Sequence, residues 1–434
     1  MRRIKWGIFA LIALVISTGC EVPDDFSRRN PGDEETGMMD SSDPDGDDSR
    51  APGKPSLPQP KKKWTVLVYL DGDNNLSPYS DLDVNEIKKS GSNKNFNIVI
   101  LWDNDPGQNS GSKTNRHGYY YIAPGSAELL KDAGEVDMGS AETAKNFIDF
   151  AAQNFPADHY MWVFWNHGGA VDRLAKGVCW DDTNGGNHLS ETDQKEIMQY
   201  FSGRIGKKVD IVGYDACLMG TAELAYQLRE YADYMIASQQ TVPGDGWDYN
   251  FLAKIKSSPS VSARTLSGQV VTYFKKYYDG RGESDATLAA YNLKYADTLA
   301  SAMDSFCEAA MTGDAGSDLY RELSQGLEVF GAYACGGGNC YYTKDLYAYF
   351  DRVADSSAVS PSVRKKASAV CKAAKSRSFI FSEWHGRAWK DKAHGLSITL
   401  KSATSVYKKL ALCRDTHWDE FLNWAGFANS DLVY

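Results

Sequence analysis

Five short runs of almost unbroken apolar and β-branched residues constrain this chain more than any other feature. They are Trp64–Leu70, Phe96–Trp102, Tyr160–Trp165, Val209–Tyr214 and Tyr234–Ser238. A strand with one wet face alternates apolar and polar side chains. A strand that is apolar at nearly every position is buried on both faces, and this requires helices above and below a mainly parallel sheet. Helical stretches lie between the runs, among them Ala141–Asn154 and Thr221–Ala232. The alternation predicts an α/β sandwich. The chain's 434 residues suffice for one large core of this kind with additions.

Two of the runs end in reactive residues. Tyr160–Trp165 leads into Asn166-His167-Gly168-Gly169, and Val209–Tyr214 leads into Asp215-Ala216-Cys217. Ligands of open parallel sheets bind beyond the carboxyl ends of the strands. His167 and Cys217, 50 residues apart in sequence, are therefore expected at one edge of one sheet. The pairing suits nucleophilic catalysis. A thiol is only partly ionised at neutral pH, and a neighbouring imidazole can take its proton and later give it to a leaving amine. The segment after Cys217 reads as a helix whose N-terminus would favour a thiolate. The backbone amides of Gly168 and Cys217 are candidates for binding a developing oxyanion. No third residue is identifiable as an orienter of His167, so the expectation is a dyad.

These blocks resemble a known family. A hydrophobic strand ending in His-Gly, followed by one ending in Ala-Cys, is similar to the peptidase clan of caspases, legumains, gingipains and clostripain. Within it, Trp64–Leu76, Asn166–Gly169, Tyr214–Gly220 and Thr241–Tyr249 resemble blocks of the clostripain family. Caspases proper carry Gln-Ala-Cys where this chain has Asp215-Ala216-Cys217. The resemblance implies a caspase-like α/β/α sandwich and an endopeptidase cutting after Arg or Lys, with protein or peptide substrates. Residues i and i+2 of a strand share a face, so Asp215 is expected beside Cys217, where its carboxylate can pair with a cationic side chain. Thr241 and Asp245 correspond by position to the loop lining that pocket. Activating self-cleavage between His167 and Cys217 is implied too, with Arg173 and Lys176 as the sites. No cofactor is needed for the chemistry, but the family uses calcium. Asp71-Gly-Asp-Asn-Asn75 resembles part of a calcium loop, although Leu76 replaces the glycine of an EF-hand. Asp181 and Asp182 are further candidate ligands, and the metal residues stay unassigned.

The ends of the chain carry other signals. Arg2, Arg3 and Lys5 precede an apolar run, Trp6–Ile16, then small residues and Cys20. This is an export signal, too short to span a bilayer, and the cysteine resembles a lipidation site. Residues 1–19 are expected to be removed, and Cys20 to anchor an exported bacterial lipoprotein at the outer membrane or cell surface through its lipid only. Residues 20–62, rich in Asp, Ser, Pro and Gly, read as a flexible linker. The catalytic core is expected over 63–255. A mostly helical region is expected over 256–434, returning one strand, 395–400, to the core. Of the eight cysteines, Cys335 and Cys340 are the best local candidates for a disulfide, and no Cys/His cluster has zinc spacing.

A net charge of −10 argues against nucleic acid as a partner. A monomer is expected. The competing class is a non-catalytic surface lipoprotein that binds glycan or protein, suggested by the many aromatic residues.

Overall fold

All five apolar runs become the central strands of a nine-stranded sheet in the computed structural model. The structure describes residues 53–104, 116–169, 177–313, 315–332, 343–401 and 404–427. In chain order the strands of this sheet begin with β1 (Lys62–Gly72), β2 (Phe96–Asn104), β3 (Arg116–Ala123), β4 (Ser126–Asp132) and β5 (Ala157–Trp165). A small separate sheet follows: β6 (Gly168–Gly169), β7 (Gly177–Asp181) and β8 (Asn187–Leu189). Then come β9 (Val209–Asp215), β10 (Ala232–Ala237), β11 (Thr287–Asn292), β12 (Thr343–Asp345), β13 (Ile380–His385) and β14 (Ser397–Thr399). The large sheet has the order β13-β11-β10-β9-β5-β1-β2-β3-β4. Its middle strands β10, β9, β5, β1 and β2 are parallel, and the outer strands pair antiparallel.

Both faces of the middle strands are buried, as their composition requires. Tyr69, Leu101, Trp162 and Tyr214 face one apolar layer, while Val68, Ile100, Val163 and Ile211 face the other. The first layer is built on α2 (Ala141–Asn154), α3 (Glu191–Ile205) and α4 (Ala222–Leu228); the second receives Val84 and Ile87 of α1 (Ser77–Ser90). Beyond the short α5 (Ala253–Ser257), α6 (Ala263–Arg281) covers that second face with Leu266, Val270 and Phe274. The C-terminal helices α7 (Ala296–Met311), α8 (Ser317–Glu322), α9 (Leu346–Asp355), α10 (Pro361–Ala374), α11 (Ala411–Asp415) and α12 (Trp418–Trp424) thicken the first layer.

The C-terminal half enters the sheet differently from the expectation. The strands it returns are β11 and β13, both antiparallel. The segment expected at 395–400 forms only β14. This strand pairs with β12, meets the catalytic half by an isolated bridge from Ser397 to Thr221, and buries Ile398 in the first apolar layer without joining the large sheet. The sequence hides β11 and β13. The first contains Ala289-Ala290, poor strand formers, and the second is only half buried and so carries a mixed pattern.

The cysteines outside the candidate pair are thiols where the structure describes them. Cys179, Cys307, Cys371 and Cys413 are buried thiols outside any disulfide. Each packs in the first apolar layer as a small hydrophobe. Cys335 and Cys340 lie outside the described residues, as do Cys20, the export signal and most of the linker.

Candidate active site

Register fixes the site. Trp165 at the end of β5 pairs with Asp215 at the end of β9. His167 and Cys217 each lie two residues beyond that pair and emerge at the same sheet edge. Both line one cleft, walled on one side by Asn166, His167, Asp215, Ala216 and Cys217. Val242, Pro243, Gly244, Gly246, Leu76 and Trp165 complete its lining. Both dyad side chains are nearly buried.

The backbone is drawn tight around the thiol. A Cβ on Gly168 would fall 2.1 Å from the Cys217 carbonyl oxygen and 2.9 Å from its amide nitrogen, so only glycine permits this approach. Leu218 has a positive φ of 64°, a conformation that costs a non-glycine residue roughly 1–2 kcal/mol. Its amide donates to Gln240 O at 3.2 Å, and the Val242 amide donates to Cys217 Sγ at 3.2 Å. The expected helix directly after Cys217 does not form there. The turn through Leu218 and Gly220 delays it, and α4 starts at Ala222 with Thr221 as its cap. The thiol therefore sits in a strained turn and not at a helix N-terminus.

His167 has the partner that sequence reading did not find. Its Nε2 lies 2.5 Å from Oδ1 of Asn75, in the loop after β1. Burial lowers its imidazole to a pKa of about 4, so the ring is neutral at neutral pH. A web of bonds fixes the loop beside it. Asn166 Nδ2 donates to Asp71 O at 2.6 Å, and the Trp180 amide donates to Asn166 Oδ1 at 3.0 Å. Asn74 Nδ2 donates to Trp180 O at 2.6 Å.

Asp215 reaches the cleft as expected, but another carboxylate accompanies it. Oδ2 of Asp215 accepts from the Trp247 amide at 3.1 Å and from the Tyr249 hydroxyl at 3.0 Å. Asp83 of α1, buried, accepts from the Trp165 indole at 2.6 Å. A Cβ on Gly246 would fall 2.9 Å from Asp215 Oδ2 and 3.2 Å from Asp83 Oδ2, so the two carboxylates flank one backbone spot. Burial, only partly offset by these donors, pushes Asp215 up to about 7. Burial and then the charge of Asp215 raise Asp83 well above the carboxylate range.

Thr241 and Asp245 are not among the residues that line the cleft. The Thr241 amide donates to Gln240 Oε1 at 3.0 Å, and Asp245 accepts from the Tyr277 hydroxyl at 2.6 Å. The turn through Gly244 and Gly246 puts backbone, not these side chains, against the cleft. Arg173 and Lys176 fall outside the described residues.

Of the acidic residues named for calcium, Asp73 and Asp181 lie together, joined by Glu135. Asp73, Glu135 and Asp181 bring one oxygen each within 4.8 Å of one another, and Asp103, His117 and Glu135 form an adjoining group. Asp182 contributes its amide to Asp73 O at 2.9 Å, and it is not one of the clustered side chains.

No aromatic side chain is among the large hydrophobic residues exposed in the described structure, which are Leu57, Leu82, Leu129 and Val406. Trp162 is fully buried and Trp165 nearly so, and both belong to the core.

Comparison with known proteins agrees with this architecture. A model of the clostripain family matches residues 68–424. Clostripain from Hathewaya histolytica is 27% identical over 406 residues, covering 80% of this chain and 76% of that protein. An inactive zymogen C11 protease from Parabacteroides distasonis superposes with a TM-score of 0.63 at 20% identity, covering 82% of this chain and 99% of its own. A secreted C11 cysteine protease from Bacteroides thetaiotaomicron, in complex with an irreversible peptide inhibitor, gives 0.59 at 18%, covering 85% and 100%. At these identities the two structures speak for the fold, a caspase-like sandwich.

Proposed function

The chain belongs to the clostripain family and is a cysteine peptidase, and from that premise we propose that it cuts peptide bonds after arginine or lysine with His167 and Cys217 as its dyad. One observation carries the specificity. Asp215, a buried carboxylate, lines the same cleft as both dyad residues. Asp83 stands close behind it. A guanidinium or ammonium reaching Asp215 meets a carboxyl group in a setting of low dielectric, where its own positive charge favours the ionised form.

The residues support a complete cycle. Neutral His167 takes the proton from Cys217 Sγ. With Asn75 Oδ1 accepting from Nε2, the Nδ1 lone pair remains for that proton. The thiolate attacks the scissile carbonyl carbon, and the carbonyl π electrons move onto oxygen. The amides of Gly168 and Cys217, held together by the glycine contact, receive this oxyanion. Collapse breaks the C–N bond, and His167 gives its proton to the departing amine. Water, deprotonated by the same imidazole, then releases the acyl group from sulfur and restores the thiol.

Processing at Arg173 or Lys176 fits a peptidase of this specificity. The Parabacteroides neighbour was obtained as an inactive zymogen. We assign export and lipid anchoring through Cys20 to the N-terminal segment on its sequence alone. Among the described residues, no helix is long and apolar enough to cross a membrane.

The test is hydrolysis of fluorogenic peptides with Arg, Lys, Ala or Asp before the scissile bond. Cleavage after Arg or Lys, abolished in Cys217→Ala, is the expected result. Cleavage after Ala or Asp instead would remove Asp215 from its role.

A further inference from the structure

We propose that Gln240 is a positioning residue for the nucleophile: its buried side-chain amide grips the peptide unit against which the Cys217–Leu218 turn rests, and ties that unit to the C-terminal half. The proposal rests on the peptidase reading above and adds a residue that does not itself line the cleft.

The turn that carries the thiol leans on the loop after β10. Leu218 lies at a φ of 64°, and α4 begins only at Ala222. Three amides join turn and loop. The Gly220 amide donates to Ser238 O at 2.7 Å, and the Leu218 amide to Gln240 O at 3.2 Å. In the other direction, the Val242 amide donates to Cys217 Sγ at 3.2 Å. An N–H aimed at sulfur favours the thiolate over the thiol.

Gln240 governs that loop from its middle. Its carbonyl, which accepts from Leu218, belongs to the same planar peptide unit as the Thr241 amide. The Thr241 amide donates to Gln240 Oε1 at 3.0 Å. The side chain therefore fixes the plane of the unit, and with it the direction of the carbonyl. The next amide along the chain is that of Val242, the donor to sulfur. Gln240 is 1% exposed, and both ends of its side-chain amide are used. Oε1 also accepts from the Gly331 amide at 2.8 Å, and Nε2 donates to Asp285 Oδ1 at 2.9 Å. A buried amide satisfied on both ends is a rigid link.

The partners at the far end of this link belong to the C-terminal half. Asp285 precedes β11, and Gly331 lies between α8 and β12. Asp285 Oδ1 also accepts from the indole Nε1 of Trp389. Trp389 packs on Phe330 with ring centroids 4.8 Å apart, and both join Cys217, Leu218 and Ala393 in one apolar cluster. The C-terminal half thus braces the nucleophile by two routes, apolar contact and Gln240. It does so although the cleft is lined only by residues up to Gly246.

The experiment compares Gln240→Ala and Gln240→Glu with the parent in the full chain. Gln240→Glu keeps an acceptor for the two amides and removes the donor to Asp285. Alkylation of Cys217 by iodoacetamide is followed as a function of pH, on the Cys217 peptide by mass spectrometry; this reading needs no substrate. Values of kcat and KM are then taken on an Arg peptide. Gln240→Ala should raise the pH midpoint of alkylation by about 1 and lower kcat about tenfold or more. KM should change by less than about twofold, because Trp247 and Tyr249 hold Asp215 independently of Gln240. Gln240→Glu should move both readings the same way, and adding Asp285→Asn, which returns a donor, should restore most of the loss. A parental alkylation profile in Gln240→Ala overturns the proposal, and so does one in Gln240→Glu where the alanine variant fails to fold. A raised KM with unchanged kcat overturns it too. Failure of Asp285→Asn to restore activity overturns the tie to the C-terminal half. Should the parent alkylate at Cys217 yet cleave no Arg or Lys peptide, the specificity reading falls, and the alkylation profiles still decide on Gln240.

Discussion

Two acidic regions lie on the same sheet edge, and they differ in what surrounds the charge. In the cleft, Asp215 and Asp83 already accept from an indole, an amide and a phenol. Those neutral donors let the carboxylates stay buried while the cleft is empty, and glycine at 246 keeps the approach to them open. At the end of β1 and in the loop beyond it, Asp71 and Asp73 each keep one buried oxygen without a hydrogen-bond partner. Negative charge alone therefore does not define a ligand. Donors around a carboxylate let it stay buried, whereas a buried carboxylate oxygen without a donor costs stability.

The largest effect is expected of losing the nucleophile. Cys217→Ala should lower peptide hydrolysis by at least about 10³-fold. Next, Asp215→Ala should cut kcat/KM for Arg and Lys peptides by about 10²-fold or more, close to 3 kcal/mol, and spare an Ala peptide. Equal losses on all peptides would make Asp215 structural. A smaller effect, roughly tenfold, is expected of Asp83→Asn, because Asp83 stands behind Asp215. A loss as large as that of Asp215→Ala would mean that the two carboxylates work as one group.

The pH dependence has a definite sign. Asp215 in the free enzyme titrates near 7, and its ionised form is the one that attracts a cation. The ratio of kcat/KM for an Arg peptide to that for an Ala peptide should therefore rise as pH increases through about 7. Bound substrate should draw the carboxyl downward. In stability the same shift acts the other way. The raised carboxyl disfavours the folded state progressively as pH climbs from the ordinary carboxylate range to about 7. Asp215→Asn should flatten both trends, which a kinetic profile and thermal melts between pH 5 and 9 would read.

Legibility in the sequence follows burial. The parallel centre was readable because a strand covered on both faces has no polar positions to blur the pattern. Around it, β3 and β4 escaped notice. So did β11 and β13. The edge strands β4 and β13 are half wet and β11 carries small residues, so these three look like loops or helices. His167 and Cys217 were readable because each directly follows such a strand, and Asp215 because it precedes Cys217 by two. The helix expected at Cys217 failed because Leu218 and Gly220 turn the chain before Thr221 can cap it.

By itself the sequence determined the layered class, the placing of His167 and Cys217 at one sheet edge, the acidic residue two before Cys217 and the acidic character of the loop after β1. These are local facts: strand periodicity and the residues that follow each strand in the chain. Only the tertiary structure decided that Asn75 faces His167, that Asp83 joins Asp215, and that Glu135 and Asp181 close on Asp73. Each of those meetings joins residues separated by tens of positions, and their proximity depends on how helices and loops pack across the sheet edge. No local pattern encodes that distance, because it is set by the packing of the whole core.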